Sequence, residues 1–225
     1  MCIRDRSQAR DEALAIIAKQ GDLIPVGMAI GPFSLTTRLL KDPITLAAMA
    51  GTIVEAEDAG EVRLLWQCLR VSEAAVLSSV RSQIRHGAKA IMICEPAACK
   101  AFISPRQLKA GSNLFERLVM EPNLRLKAAL EEAGCDLIFH DCGELIDSMV
   151  EAFAHRLHPV ILSLGASRML WEDALLTPQD VVLYEMCIRD RCGDPCFLGL
   201  CARRLEGGSG LRWRTACLLY TSRCV

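Results

Sequence analysis

The sequence predicts an α/β fold with a parallel sheet, either a doubly wound sheet or an incomplete (β/α)₈ barrel of about five βα units. Across residues 7–185, short apolar runs alternate with longer segments of helical period, which is the pattern of βα units. The chain lacks the glycine fingerprint of a dinucleotide-binding unit. Its 225 residues, 52% of them hydrophobic, can form one domain with a sizeable core.

Five apolar runs have the length and composition of buried parallel strands. They cover residues 23–29, 90–94, 135–140, 160–163 and 181–184. In both candidate architectures functional side chains gather where the strands end. The residues directly after each run are therefore the first candidates for a site.

Three segments between the strands have the period of amphipathic helices. The first is a long helix that Gly87 can end in a left-handed cap. Its inward-facing positions are Val62, Leu65, Leu69, Val76, Val80 and Ile84. In the second, Pro122 occupies the first turn and Gly134 stops the helix. Its inward-facing positions are Leu126, Leu130 and Ala133. Inward-facing positions of the third are Leu145, Met149, Phe153 and Leu157. Ser104 and Pro105 predict one more helix start, with the serine as cap.

The charge balance argues against nucleic acid and anionic membranes as partners. Twenty-six basic and 27 acidic residues leave a net charge of −1, so no strong field surrounds the chain. The longest apolar stretch, residues 23–33, is broken by glycines and prolines and is too short for a membrane helix. The first residues lack the apolar stretch and cleavage site of a secretory signal. We therefore expect a cytoplasmic protein with a small-molecule substrate.

The twelve cysteines do not predict a disulfide scaffold, because of where they lie. Five lie in the regular middle region: Cys68, Cys94, Cys99, Cys135 and Cys142. The other seven lie in the two ends. We interpret the ends separately.

Both ends carry the same hexapeptide, Met-Cys-Ile-Arg-Asp-Arg, at residues 1–6 and again at 186–191. The residues that follow the two copies are unrelated, whereas structural repeats drift and carry an amphipathic unit. We interpret residues 1–6 as an adapter-like artefact, residues 7–185 as a partial barrel domain, and residues 186–225 as a foreign, unstructured tail. On this interpretation the chain is a fragment of a longer parent.

An alternative for the tail is a zinc knuckle formed by four closely spaced cysteines. These are Cys187, Cys192, Cys196 and Cys201. The run contains no Cys-x-x-Cys pair, so its spacing supports a zinc knuckle only weakly.

The residues 135–140 strand runs directly into Asp141, Cys142 and Gly143. Residues two apart on an extended chain point to the same side, so His140 and Cys142 can converge on one point while Asp141 turns away. Imidazole nitrogen and thiolate sulfur are ligands that zinc prefers. The spacing predicts a metal site, with a buried cysteine beside a backbone-bonded histidine as the structural alternative.

Two further strand ends carry candidate residues. Glu95 follows an apolar strand, which predicts a carboxylate at the rim of the sheet. There it could bind a metal, hold a polar substrate or act as a catalytic base. The structural alternative is a carboxylate that caps a helix or lies in a loop. After the first strand come Gly31, Pro32, Phe33 and Ser34, where a tight turn can direct backbone N–H groups and an aromatic face toward a substrate.

Five motifs together resemble the uroporphyrinogen decarboxylase-like superfamily. They are Gly31-Pro-Phe-Ser34, Glu95-Pro-Ala-Ala98, Ile103-Ser-Pro105, His140-Asp-Cys-Gly143 and Ile161-Leu-Ser-Leu-Gly165. The resemblance covers most of residues 7–185 and is closest to the branch of cobamide-dependent methyltransferases, such as methylcobamide:coenzyme M methyltransferase. It implies a (β/α)₈ barrel with its active site at the carboxyl ends of the strands.

The resemblance also implies a chemistry. In that branch a zinc ion held by a His-x-Cys pair and a later cysteine binds a small thiol, lowers its pKa and presents a thiolate to a methylated corrinoid. His140 and Cys142 match the pair, and Glu95 lies where the family has an acidic group. The later cysteine has no counterpart within residues 7–185, so we expect this polypeptide to be inactive.

Two other functions remain open for the parent. One is a uroporphyrinogen decarboxylase, which removes tetrapyrrole carboxylates without a metal and carries an arginine-rich N-terminal segment that residues 7–185 lack. The other is a non-catalytic module that binds a corrinoid or tetrapyrrole. The partners expected of the methyltransferase are a small thiol and a corrinoid or corrinoid protein.

Overall fold

The five predicted strands are confirmed and form one parallel sheet. The computed structural model of the chain describes residues 3–52, 60–165 and 169–186. The strands are β1 (Val26–Ile30), β2 (Ala90–Cys94), β3 (Asp136–Asp141), β4 (Ile161–Gly165) and β5 (Val182–Met186). They are ordered β1-β2-β3-β4-β5, and every neighbouring pair is parallel.

One helix precedes β1, and helices connect each later pair of strands. They are α1 (Ile3–Ile17), α2 (Pro32–Leu39), α3 (Pro43–Thr52), α4 (Gly60–Arg85), α5 (Pro105–Lys109), α6 (Glu121–Glu132), α7 (Asp147–Glu151) and α8 (Leu170–Leu175). Two π-helical segments, Glu116–Met120 and Ala152–Leu157, lead into α6 and continue α7. None of the helices within the described ranges is long and apolar enough to span a membrane.

The order of the strands and the two faces of the sheet favour a partial barrel over a doubly wound sheet. A doubly wound sheet reverses its strand order at a switch point, whereas this order runs from β1 to β5 without reversal. One face of the sheet packs against the helices through Ile91, Ile93, Leu137, Phe139, Leu162 and Leu164. The core cluster on the other face is made of residues in the strands and one residue beside them: Val26, Met28, Ala90, Met92, Cys94, Ile138, Val160 and Ile161. Helices on one face and strand side chains on the other are what part of a (β/α)₈ barrel requires.

Helix α4 agrees with its predicted amphipathic face. Its predicted inward positions are buried except Ile84, which is half-buried. Gly87 ends the helix with a φ of +99°, a left-handed conformation that favours glycine. The buried Gln83 adds a contact to the sheet, because its amide accepts from the Met28 N–H at 2.8 Å and donates to the Met28 carbonyl at 3.1 Å.

Helix α6 confirms the predicted positions of Pro122, Leu126 and Leu130, all buried. The prediction for Ala133 was wrong, because α6 ends at Glu132 and Ala133 lies exposed in the turn that follows. Gly134 closes that turn at a φ of +62°.

The segment after β3 buries all four predicted apolar residues, but not as one α-helix. Leu145 precedes α7, and the segment Ala152–Leu157 is π-helical. The chain then turns at His158, which has a φ of 48°. Ser104 holds the predicted cap position of α5, although its hydroxyl makes no capping hydrogen bond.

The predicted origin of the two ends stays a prediction. Helix α1 begins at Ile3, so the backbone of residues 3–6 continues into the helix of residues 7–17. Strand β5 ends at Met186. Residues 187–225, with the alternative zinc knuckle, lie outside the described residues.

Candidate functional site

The candidate site lies at the carboxyl edge of the sheet, where one row of residues crosses all five strands. The register aligns Ile30, Cys94, His140, Ser163 and Tyr184. Residues aligned in this way on parallel strands point to the same face of the sheet. His140 therefore stands between Cys94 and Ser163.

His140 is held by its neighbour on β4. Its Nδ1 lies 3.0 Å from the hydroxyl oxygen of Ser163, and both side chains are buried. Burial lowers the pKa of His140, since charging the imidazole there would require desolvation. When Nδ1–H donates to Ser163, Nε2 keeps its lone pair, which is the form that binds metals.

Cys142 follows β3 directly, and its side chain is half-buried. Its spacing from His140 is the one that places both on the same side of an extended chain. Cys94, a half-buried free thiol in register with His140, has its pKa raised to about 11, first by burial and then by the charges of Cys142 and Glu95. Cys94 is therefore protonated at neutral pH.

A complete set of metal ligands is not formed by the described residues. Within residues 3–52, 60–165 and 169–186, no three His, Cys, Asp or Glu side chains are grouped so that they could hold a metal ion. The assignment of His140 and Cys142 as metal ligands stays a prediction.

Glu95 lies at the predicted strand end, but its carboxylate is not exposed at a rim. The side chain is completely buried and accepts hydrogen bonds from Phe33 N at 3.4 Å, Ser34 N at 2.5 Å and Asn123 Nδ2 at 3.0 Å. The first two donors are N–H groups in the first turn of α2, which have no acceptor within the helix. The carboxylate therefore caps that helix. Burial raises the pKa of Glu95, and the hydrogen bonds from Ser34, Asn123 and Phe33 oppose the shift.

The four residues predicted to bind substrate are buried, and three of them contact Glu95. The N–H groups of Phe33 and Ser34 donate to this carboxylate rather than point to open space. Ser34 also accepts a hydrogen bond from Ala97 N at 3.0 Å, which ties the first strand end to the second. A Cβ atom at Gly31 would collide with Oε2 of Glu95, so a larger residue here would displace the carboxylate. In this conformation the tight turn positions Glu95, and a role in substrate binding stays a prediction.

Asp141 turns away from His140, as predicted, toward the helical layer. It is in register with Leu164 and is completely buried. Its Oδ1 accepts from Gly143 N at 2.7 Å, and its Oδ2 has no hydrogen-bond partner among the described residues. Burial raises the pKa of Asp141 to about 8; the Gly143 hydrogen bond opposes the shift, and the nearby charge of Glu95 adds to it. Asp141 is therefore mostly protonated at neutral pH.

Sequence reasoning missed two residues that complete these contacts, Ser163 and Asn123. Ser163 was visible as a hydroxyl inside an otherwise apolar strand, which is a signal for a buried hydrogen bond. Asn123 lies in the first turn of α6, and nothing in its local sequence pairs it with Glu95.

Comparisons with known proteins support the fold and leave the family open. No protein-family model matches the sequence, and no curated protein matches it. The structure is similar to that of a methyltransferase from Methanosarcina mazei, with a TM-score of 0.59 and 18% sequence identity. The similarity covers 77% of this chain and 46% of that one, so this chain spans less than half of the other protein. At this identity the similarity shows a shared α/β fold.

Proposed function

We propose that the chain carries part of the active site of a methyltransferase that moves a methyl group from a methylated corrinoid to a small thiol bound at zinc. The observation that carries the proposal is the His140–Ser163 contact at the carboxyl edge of the sheet, with Cys142 two residues further along the chain. Fold similarity to a methyltransferase supports the reaction class. The sequence motifs support the choice of zinc, thiol and corrinoid.

The donor chemistry of the two residues fits zinc. His140 would bind through Nε2 while Ser163 fixes the ring at Nδ1. Cys142 would bind as the thiolate, with the remaining positions left to a further protein ligand and the substrate. Bound zinc would supply a Lewis acid that lowers the pKa of the substrate thiol, since the thiolate is the nucleophile.

Residues of the chain itself would position the metal ligands and keep water away from the buried His140. Burial keeps His140 neutral, so no proton competes with a cation for its nitrogen. Glu95 and Asp141 stand behind the site, where Glu95 fixes α2 and Asp141 fixes the turn to Gly143. We assign both a positioning role, since both face the protein interior.

The experiment measures proton release when a thiol binds to the zinc-loaded chain in weakly buffered solution with a pH indicator. Four clustered cysteines that could bind zinc themselves are first changed to serine: Cys187, Cys192, Cys196 and Cys201. Addition of 2-mercaptoethanol should release about one proton per zinc, whereas ethylene glycol, which lacks the thiol, should release none. Cys142→Ser and His140→Ala should abolish the release. Cys68→Ser, which changes a half-buried cysteine on α4, is the matched control and should behave as the wild type.

Equal proton release from the wild type and Cys142→Ser would contradict the proposal, because the thiol would then be deprotonated elsewhere. No release from a wild-type chain that holds zinc would contradict thiol activation.

A further inference from the structure

A groove of about 330 Å³ lies in the helical layer, between α4 and the Glu116–Met120 and α6 segments. It shares no residue with the site at the carboxyl edge of the sheet. Its polar lining contains four arginines and two glutamates, with an indole ring among them: Arg63, Trp66, Arg70, Glu73, Arg117, Glu121 and Arg125. The lining therefore has an excess of two positive charges.

Two of the arginines are already engaged. Arg125 forms a two-point ion pair with Glu73, with Nε–Oε1 and Nη2–Oε2 distances of 2.5 and 2.9 Å. The guanidinium of Arg117 lies over the ring of Trp66, 4.2 Å from the ring centroid. These contacts fix one wall of the groove.

The other two arginines form no ion pair with any residue in the described ranges. Arg63 and Arg70 lie on the same helix as Trp66, three residues before it and four after it. This spacing puts all three on one face of α4, with the two arginine Cα atoms about 10 Å apart. Two long side chains at that separation can meet over one ligand.

Trp66 adds an unsatisfied donor. Its Nε1 is buried and has no hydrogen-bond partner within the described residues. Indole N–H and guanidinium groups only donate hydrogen bonds. A ligand that completes this groove must therefore be rich in acceptors and negatively charged.

We propose that this groove binds the oxyanion group of a small molecule, a phosphate or a carboxylate bearing at least two negative charges. A guanidinium matches either group with two parallel hydrogen bonds. Arg63 and Arg70 supply this recognition, on the face of α4 that also carries Trp66.

The test titrates inorganic pyrophosphate and, separately, citrate into the full chain and measures heat. Saturable binding of one or both at a single site is expected, and the tighter of the two identifies phosphate or carboxylate as the preferred group. The double variant Arg63→Gln/Arg70→Gln should weaken binding about tenfold or more, since it removes the charged donors.

The matched control is Arg81→Gln/Arg85→Gln. It removes the same charge from two exposed positions of α4 that do not line the groove. Binding should change by less than about twofold, apart from the general effect of charge, which salt screens. Equal weakening by the two double variants, or no saturable binding of either anion to the wild type, would overturn the proposal.

Discussion

The Nδ1 atom of His140 lies 3.0 Å from the hydroxyl oxygen of Ser163, on the neighbouring parallel strand. This contact joins two strands at the carboxyl edge of the sheet and fixes the plane of the imidazole. It leaves Nε2 as the ring nitrogen that can bind a cation.

Removal of the Ser163 hydroxyl should therefore weaken metal binding. For Ser163→Ala we expect the zinc dissociation constant to rise about tenfold, the lower end of the effect of removing a partner of a metal-bound histidine. Competition with a chromogenic chelator measures this constant. Ser72→Ala, which changes a buried serine on α4 whose hydroxyl has no hydrogen-bond partner among the described residues, is the control. An unchanged constant in Ser163→Ala would show that the contact does not orient a ligand.

Loss of the Glu95 carboxylate should destabilise the fold. Glu95→Ala leaves the N–H groups of Phe33 and Ser34 and the amide of Asn123 without their acceptor, so the free energy of unfolding should fall by about 3 kcal/mol or more. Glu95→Gln keeps one acceptor oxygen, so its free energy of unfolding should fall by less. Urea denaturation measures both variants. Glu144→Ala removes an exposed glutamate ion-paired with Lys100, and its effect should stay within about 0.5 kcal/mol.

The close approach of Gly31 to Glu95 gives a third prediction. In Gly31→Ala the new methyl group collides with the carboxylate and displaces it from its donors, which should lower the free energy of unfolding by about 1–3 kcal/mol. Gly21→Ala is the matched control, because a Cβ atom there meets nothing within 4 Å. Similar melting temperatures for the two variants would contradict the described packing.

Asp141 predicts how stability depends on pH. A carboxyl group whose pKa is higher in the folded than in the unfolded state favours folding when protonated. Its contribution is therefore complete below its ordinary pKa of 3.8 and is lost as the pH rises through about 8. Between pH 5 and pH 7 this group should lower the free energy of unfolding by at most about 1.4 kcal/mol per pH unit.

Asp141→Asn should remove the contribution of Asp141 to the pH dependence of the free energy of unfolding. Urea denaturation at several pH values measures this dependence. In this variant the free energy of unfolding should still fall as the pH rises, because the pKa of Glu95 is also raised. The same slope in Asp141→Asn and the wild type would show that Asp141 is ionised in the folded protein.

The strands of the sheet could be predicted from the sequence because apolar runs and helical periods are local patterns. Strand β2 has the predicted bounds, and the other strands differ from their predictions only near their ends. The contacts behind the site could not be predicted in this way, since they join distant residues. Gln83 bonds to Met28 across 55 positions, and Asn123 to Glu95 across 28. Such pairs depend on how helices pack on the sheet.

Glu95 shows where a local rule gives the wrong environment. A carboxylate directly after a buried strand is expected at the open edge of the sheet. Here the N-terminus of α2 lies over that edge, and its free N–H groups bind the carboxylate inside the protein. Whether the carboxylate is exposed at the edge or buried under α2 depends on the path of the chain after Gly31.

The most direct test of a metal site at His140 and Cys142 is a cobalt(II) titration of the full-length chain, followed by absorbance. Four clustered cysteines are first changed to serine so that they cannot bind the metal: Cys187, Cys192, Cys196 and Cys201. Cobalt(II) takes the place of zinc and gives a thiolate-to-metal charge-transfer band when a cysteine binds it. We predict a band that saturates at about one cobalt per chain, disappears in Cys142→Ser, weakens strongly in His140→Ala and persists in Cys68→Ser. A band that is absent from the wild type, or that survives in Cys142→Ser, would contradict the account.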